Sequence, residues 1–307
     1  MNKIRKIIYM RRDSVYKLFT DVMCDLPLEY INTHGLEVIP LSVLVDGEDY
    51  TLAADPTAPG CIEPSMFYRR LREGANAKSA QATSEKITEM MRPYLAAGQD
   101  ILYLAFSSGL SGTCGSGQVA RDQLIQEFPE RKVTVVDTLC ASLGQGLLVH
   151  LAVQKAEAGL SIEEVAAFAD EMKLKIHHWF TVDDLNFLKR GGRVSGAAAF
   201  IGTMLSIKPV LNVDDGGHLI PKEKQQGRKR ALKALVDHMK DNCLDPAKYP
   251  IFLSHGDSLD DANYVEGLIR EKWGVGVEVL NFVNPVIGCH SGPGTIALFF
   301  VGDRPRG

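Results

Sequence analysis

A chain of 307 residues, 45% hydrophobic and 23% charged, exceeds the size at which one hydrophobic core usually stops growing, so two domains are expected. Its formal net charge of -4 argues against a nucleic-acid binder, which needs a concentrated cationic face. Six cysteines, at positions 24, 61, 114, 140, 243 and 289, form no Cys-x-x-Cys pair; neither a disulfide framework nor a zinc knuckle is suggested, and they read as the reduced thiols of a cytoplasmic protein.

The chain starts with Lys3, Arg5, Lys6, Arg11, Arg12 and Lys17 against a single acid, Asp13, like the basic start of a signal peptide. No apolar stretch follows, so residues 1–15 read as a basic tail, with Met10 as an alternative start and at most a transient membrane-surface contact. No later window approaches the ~20 consecutive apolar residues that a bilayer span requires.

Short β-branched runs at 16–20, 37–45, 101–106 and 133–136 predict buried strands, and the amphipathic stretches between them predict a mostly parallel, Rossmann-like sheet. The loop over 52–64, rich in Ala and Pro, shows no readable role. Residues 84–97 predict a helix capped by Thr83 or Ser84, with Ile87, Met90, Met91 and Tyr94 at helical spacing. A helical pair over 143–173 breaks at Gly159, and Ser161 with Glu164 forms a capping-box signature. After Ile176 the texture changes. Strands at 179–182 and 207–213 lead into the turn Asp214-Asp215-Gly216-Gly217 and an antiparallel return over 219–222. Helices over 226–241 and 259–272 then alternate with strands at 251–254, 275–280 and 295–301. The fold class expected is therefore two α/β domains, residues 16–174 with a mostly parallel sheet and 175–307 with a mixed one.

Three segments carry chemistry. Ser107-Ser108-Gly109-Leu110-Ser111-Gly112-Thr113 lies where a strand ends and a helix begins near Gly112, the end of a parallel strand that ligands favour. Its hydroxyls and helix-end amides suit a carboxylate or phosphate, although such runs also serve simply to cap a helix and close a turn. Leu188-Lys189-Arg190-Gly191-Gly192-Arg193 sets arginine forks around a Gly pair, either for an anion or as a solvated charge run ended by glycine. The small apolar run from Gly196 to Gly202 beside it could border a tunnel. His290-Ser291-Gly292-Pro293-Gly294-Thr295 places a histidine ahead of a rigid turn, and His255-Gly256-Asp257 places another after a strand.

Other chemistries lack their motifs. Gly112-Thr113-Cys114-Gly115-Ser116-Gly117 reverses the dinucleotide fingerprint, and Thr113 stands where G-x-S-x-G requires glycine. His177-His178 and His238 make no convincing metal spacing, and there is neither a P-loop nor a kinase glycine loop, so no cofactor, metal or ATP site is expected.

Read in order from Tyr16 to Gly302, a set of short motifs resembles the DegV family, lipid-binding proteins that include the fatty-acid-binding subunits of bacterial fatty acid kinase. The motifs are Thr20-Asp21, Asp25-Leu26-Pro27, Ile39-Pro40-Leu41, residues 107–113, Asp137-Thr138, Gly144-Gln145-Gly146, residues 188–193, Lys208-Pro209 and residues 290–294. The resemblance implies a long-chain fatty acid lying between the two domains. It also implies that the fatty acid is presented to a separate kinase catalytic subunit and is then held as the acyl phosphate, the chain itself being no enzyme. The family's Thr-Ser-Gln-Pro-Ser stretch corresponds to Ser79-Ala80-Gln81-Ala82-Thr83, and its Thr-Asp-Ser start to Thr20-Asp21-Val22, departures that bear on ligand choice. The ligand-binding residues carried over are Ser79, Ser107, Ser108, Gly109 and Ser111, with His290 as support and Arg190 or Arg193 as the nearby charge. Two rivals remain: a lipid sensor or carrier with no kinase partner, and a serine-dependent acyl hydrolase or transferase using Ser107, Ser108 or Ser111 with His290.

Overall fold

The computed structural model describes residues 16–194 and 207–306; the basic tail and the Gly196 to Gly202 run lie outside them. The first half runs β1 (Tyr16–Asp21), α1 (Leu28–His34), β2 (Glu37–Ile39), β3 (Leu41–Val45), β4 (Glu48–Leu52), α2 (Pro64–Arg72), β5 (Ala77–Ala80) and α3 (Ser84–Ala96). It continues with β6 (Asp100–Ala105), α4 (Thr113–Glu127), β7 (Val133–Asp137), α5 (Leu143–Glu157) and α6 (Ile162–Met172). A 3-10 turn, Lys173–Lys175, leads to the second half: β8 (Ile176–Thr181), α7 (Leu185–Arg190), β9 (Ile207–Val213), β10 (Leu219–Gln226) and α8 (Arg228–Asn242). There follow β11 (Phe252–His255), α9 (Leu259–Trp273), β12 (Val279–Phe282), α10 (Pro285–Ser291) and β13 (Ile296–Val301).

The first sheet has the order β2-β1-β6-β7 and is parallel throughout. The second, β10-β9-β8-β13-β11-β12, is antiparallel except for the β11–β12 pair. An α/β fold with one parallel and one mixed sheet is thus what forms. α3 is capped by Thr83, and Ser161 with Glu164 makes the reciprocal capping box of α6.

Two expectations need correction. The run over 37–45 is not one strand: Pro40, which has no backbone N–H to donate, separates β2 from β3, and β3 joins a separate antiparallel sheet, β4-β3-β5. The strand expected at 275–280 is β12, which begins only at Val279. His290 stands ahead of its turn as expected, in the last turn of a short helix, α10, entered through Pro285 and capped by Asn284.

α5 explains how the two sheets share one core. Every residue from Leu143 to Val153 is buried, as expected of a helix apolar on all sides, and it packs against β8, β11 and β13 of the second sheet. Around its start, buried Asp25 accepts hydrogen bonds from the Ser142 hydroxyl and, at 3.0 Å, from the Asn284 amide, joining the two halves. Burial pushes the Asp25 carboxyl well above the usual carboxylate range.

Candidate functional site

Between the two sheets lies a cavity of about 860 Å³, its open mouth included. Apolar side chains make most of its wall: Met23 and Phe106 from the first sheet's side, Phe180 and Val213 from β8 and β9, Val286 from α10, and Ala297 and Phe299 from β13. Ser79, Ser111, Arg193 and His290 add polar groups to the same wall.

Each polar residue owes its place to local structure. Ser79 alternates with Lys78 and Ala80 on β5, and it sits opposite Val43 of β3. Its Oγ lies 2.7 Å from His290 Nε2, which projects from the last turn of α10. α7 ends in a Schellman-type cap: Gly192, at a φ of 66°, donates to the Lys189 carbonyl, and the Arg193 amide reaches back to that of Leu188. That reversal carries Arg193 toward the first half, where its Nε donates to the Leu110 carbonyl at 3.3 Å. Gly191 has a different task. A side chain there would collide with the His290 ring, so glycine is what lets α7 and α10 close on each other.

His290 is neutral at pH 7. Burial, with the Arg193 charge adding to it, pushes its pKa down to about 4. Nδ1 has no hydrogen-bond partner and faces Gly191. An unpaired lone pair costs less there than an unpaired N–H, so the proton belongs on Nε2, donated to Ser79. The Ser79 hydroxyl hydrogen is then free to donate into the cavity. His178, also on the wall, offers no such donor: it accepts from the Ala141 amide at 3.2 Å and donates to the Ile176 carbonyl at 2.9 Å.

The hydroxyl-rich loop divides. Ser111 lines the cavity, and its Oγ caps the start of α4, lying 2.9 Å from Thr113 Oγ1 and accepting from the Thr113 amide. Ser107, Ser108 and Gly109 do not line the cavity. Ser107 is fully buried and donates to the Gly217 carbonyl at 2.9 Å, while Ser108 is exposed and only its amide is bound, by Asp137. Gly109 lies so near the Gly216 carbonyl that a Cβ would not fit. Ser107 and Gly109 seat the loop against the β9–β10 turn, and Ser108 ties it to Asp137 of β7. Arg190 also points elsewhere: it stacks on Phe187 and borders a separate surface hollow with Asp184 and Lys189. His290, paired with Ser79, is hydrogen-bonded to none of the three serines that a hydrolase reading would give it.

Sequence reasoning missed the wall itself, because Phe106, Phe180, Val213 and Phe299 read as ordinary strand residues. It also passed over Ser291 and Thr295, which line the cavity beside the histidine.

A profile of the DegV family, described only as uncharacterised proteins, matches residues 16–303. A DegV domain-containing protein of Clostridium perfringens is 41% identical over 288 residues, covering 94% of this chain and 98% of that protein. Two solved structures share the fold along nearly their whole length. One is a fatty-acid-binding DegV family protein of Thermus thermophilus: 32% identity, TM-score 0.80, 94% of this chain and 99% of that one. The other is a DegV lipid-binding protein of Thermotoga maritima: 28% identity, TM-score 0.81, with the same coverage. The chain belongs to the DegV family.

Proposed function

We propose that this protein binds one long-chain fatty acid non-covalently in the cavity and presents its carboxylate to a separate fatty acid kinase subunit, being itself no enzyme. The observation that carries the binding is a long apolar wall bearing a cluster of hydroxyls, a neutral histidine and an arginine. In this reading, residues 16–174 and 175–307 are two domains that close on the ligand, and the Thermus and Thermotoga relatives support the ligand class.

A fatty carboxylate, with a pKa near that of Glu, is ionised at pH 7 and needs several donors once desolvated. Ser79, Ser111 and Arg193 supply them, each charge-assisted bond contributing roughly 1.5 to 3 kcal/mol. At about 0.8 kcal/mol per methylene, a ~15-methylene tail contributes about 12 kcal/mol before association costs, so the tail governs affinity and the head group sets register.

The Ser79–His290 pair also has the spacing of a nucleophile and its base. Against that reading, Nδ1 meets a glycine instead of an orienting carboxylate.

Mass spectrometry of lipid extracted from the purified protein tests the ligand, and the expected result is a stoichiometric long-chain fatty acid. Ser79→Ala with Ser111→Ala is expected to weaken retention roughly tenfold or more; unchanged retention would remove these hydroxyls from the site. Acyl phosphate formed from ATP and fatty acid by the purified chain alone would overturn the non-catalytic role. Failure to co-purify with a fatty acid kinase subunit would favour a sensor or carrier without that partner.

A further inference from the structure

Among the described residues that line the cavity, Ser291 carries a hydroxyl with no partner. Ser79 is engaged by His290, Ser111 by Thr113, and Thr295 donates to the carbonyls of Ser291 and Gly292. Ser291 is 5% exposed, and its Oγ forms no hydrogen bond. A buried hydroxyl left unpaired costs about 1 to 3 kcal/mol, so it marks a place where a ligand atom is expected.

That place is set apart from the carboxylate cluster. On α10, Val286 and His290 are four residues apart on one stripe, and Ile287 and Ser291 on the next. The first stripe carries the ring that meets Ser79 and Gly191. The second ends where the chain turns through Thr295 into β13, whose Ala297 and Phe299 form apolar wall. Ser291 thus lines the same cavity as that apolar wall, one residue along the helix from His290.

We propose that Ser291 selects fatty acids bearing a hydroxyl on one of the first carbons after the carboxylate, that is, 2- or 3-hydroxy acids. The inference rests on the fatty-acid reading above and adds a polar subsite to it. A ligand hydroxyl there both donates to and accepts from Ser291 Oγ, whereas an unsubstituted chain leaves it unpaired. A site built around such a bond rejects the analogue that lacks it more firmly than an apolar pocket rejects an added group.

The test is competition against a fluorescent polyene fatty acid on delipidated protein, using palmitic acid and its 2-, 3- and 16-hydroxy derivatives. The expected result is that the 2- or 3-hydroxy acid binds roughly tenfold more tightly than palmitic acid, about the effect of one neutral hydrogen bond, while the 16-hydroxy acid binds more weakly. Ser291→Ala, nearly isosteric, should abolish that preference, keep palmitic acid affinity within about threefold and leave the ligand-free melting temperature unchanged or raised. Equal or tighter binding of palmitic acid to the wild type overturns the proposal, as does a preference that survives in Ser291→Ala. A parallel loss of all ligands in that variant would make Ser291 a carboxylate donor instead, and would also overturn it. If neither the probe nor any of the four acids binds, the fatty-acid reading fails first and the subsite with it; if the probe binds and none of the four displaces it, the subsite alone fails.

Discussion

Withdrawing the His290 ring from water beside Arg193 leaves it uncharged at pH 7, so its contribution to an anion site is directional: it fixes the Ser79 hydroxyl as a donor. Gly191 controls that geometry without touching ligand, because its backbone is ordinary right-handed helix and only the missing Cβ matters. Gly191→Ala should therefore fold, displace the ring and weaken fatty-acid affinity roughly tenfold. Equilibrium binding on delipidated protein checks this, and unaltered affinity would show that ring position does not govern the head group. The sequence made the arginines flanking the Gly pair legible as anion-binding candidates, but not which of them reaches the cavity. Arg193 does so because the helix cap reverses the chain after Gly192, while Arg190, still inside α7, stacks on Phe187.

At the scale of elements, the strands of the parallel sheet and the long helices were legible because their apolar spacing is strong, as in β6 and α9. The antiparallel sheet was not: β4 reads Glu-Asp-Tyr-Thr-Leu and β5 Ala-Lys-Ser-Ala, with too few apolar positions to show a period of two. One wall of the cavity, Ser79 included, therefore escaped periodicity and was reached only through a motif. The 107–113 loop shows the converse, a visible motif whose hydroxyls mostly serve structure. Ser107 holds the β9–β10 turn from within the core, so Ser107→Ala orphans the Gly217 carbonyl and should cost about 1 to 3 kcal/mol of stability. Ser108→Ala, on an exposed side chain, should stay within about 0.5 kcal/mol. Urea denaturation of the two variants distinguishes them, and equal midpoints would contradict the assignment.

Across the whole molecule, buried histidines set the response to acid. His150, His177, His178, His255 and His290 are all pushed below the ordinary histidine range, chiefly by burial, whereas Asp21, raised to about 6, and Asp25 move the other way. A histidine with a depressed folded pKa stabilises the protein fully above its unfolded value near 6.5. That contribution fades as pH falls toward the folded pKa, about 4 for His290, because over this window the unfolded chain binds more protons. The two aspartates oppose this, since carboxyls with raised folded pKa values contribute stability at low pH and lose it as pH rises, Asp21 through about 6. Five groups against two give a net loss on acidification, which sets in near pH 6.5, where the histidines of the unfolded chain begin to take up protons. The melting temperature is thus expected to fall steadily from pH 7 to pH 5. His290→Gln should make the slope shallower, because one of the five contributors is gone while the other buried groups stay as they were. A flat or rising profile, or a slope that variant leaves unchanged, would mean that burial does not hold these histidines neutral.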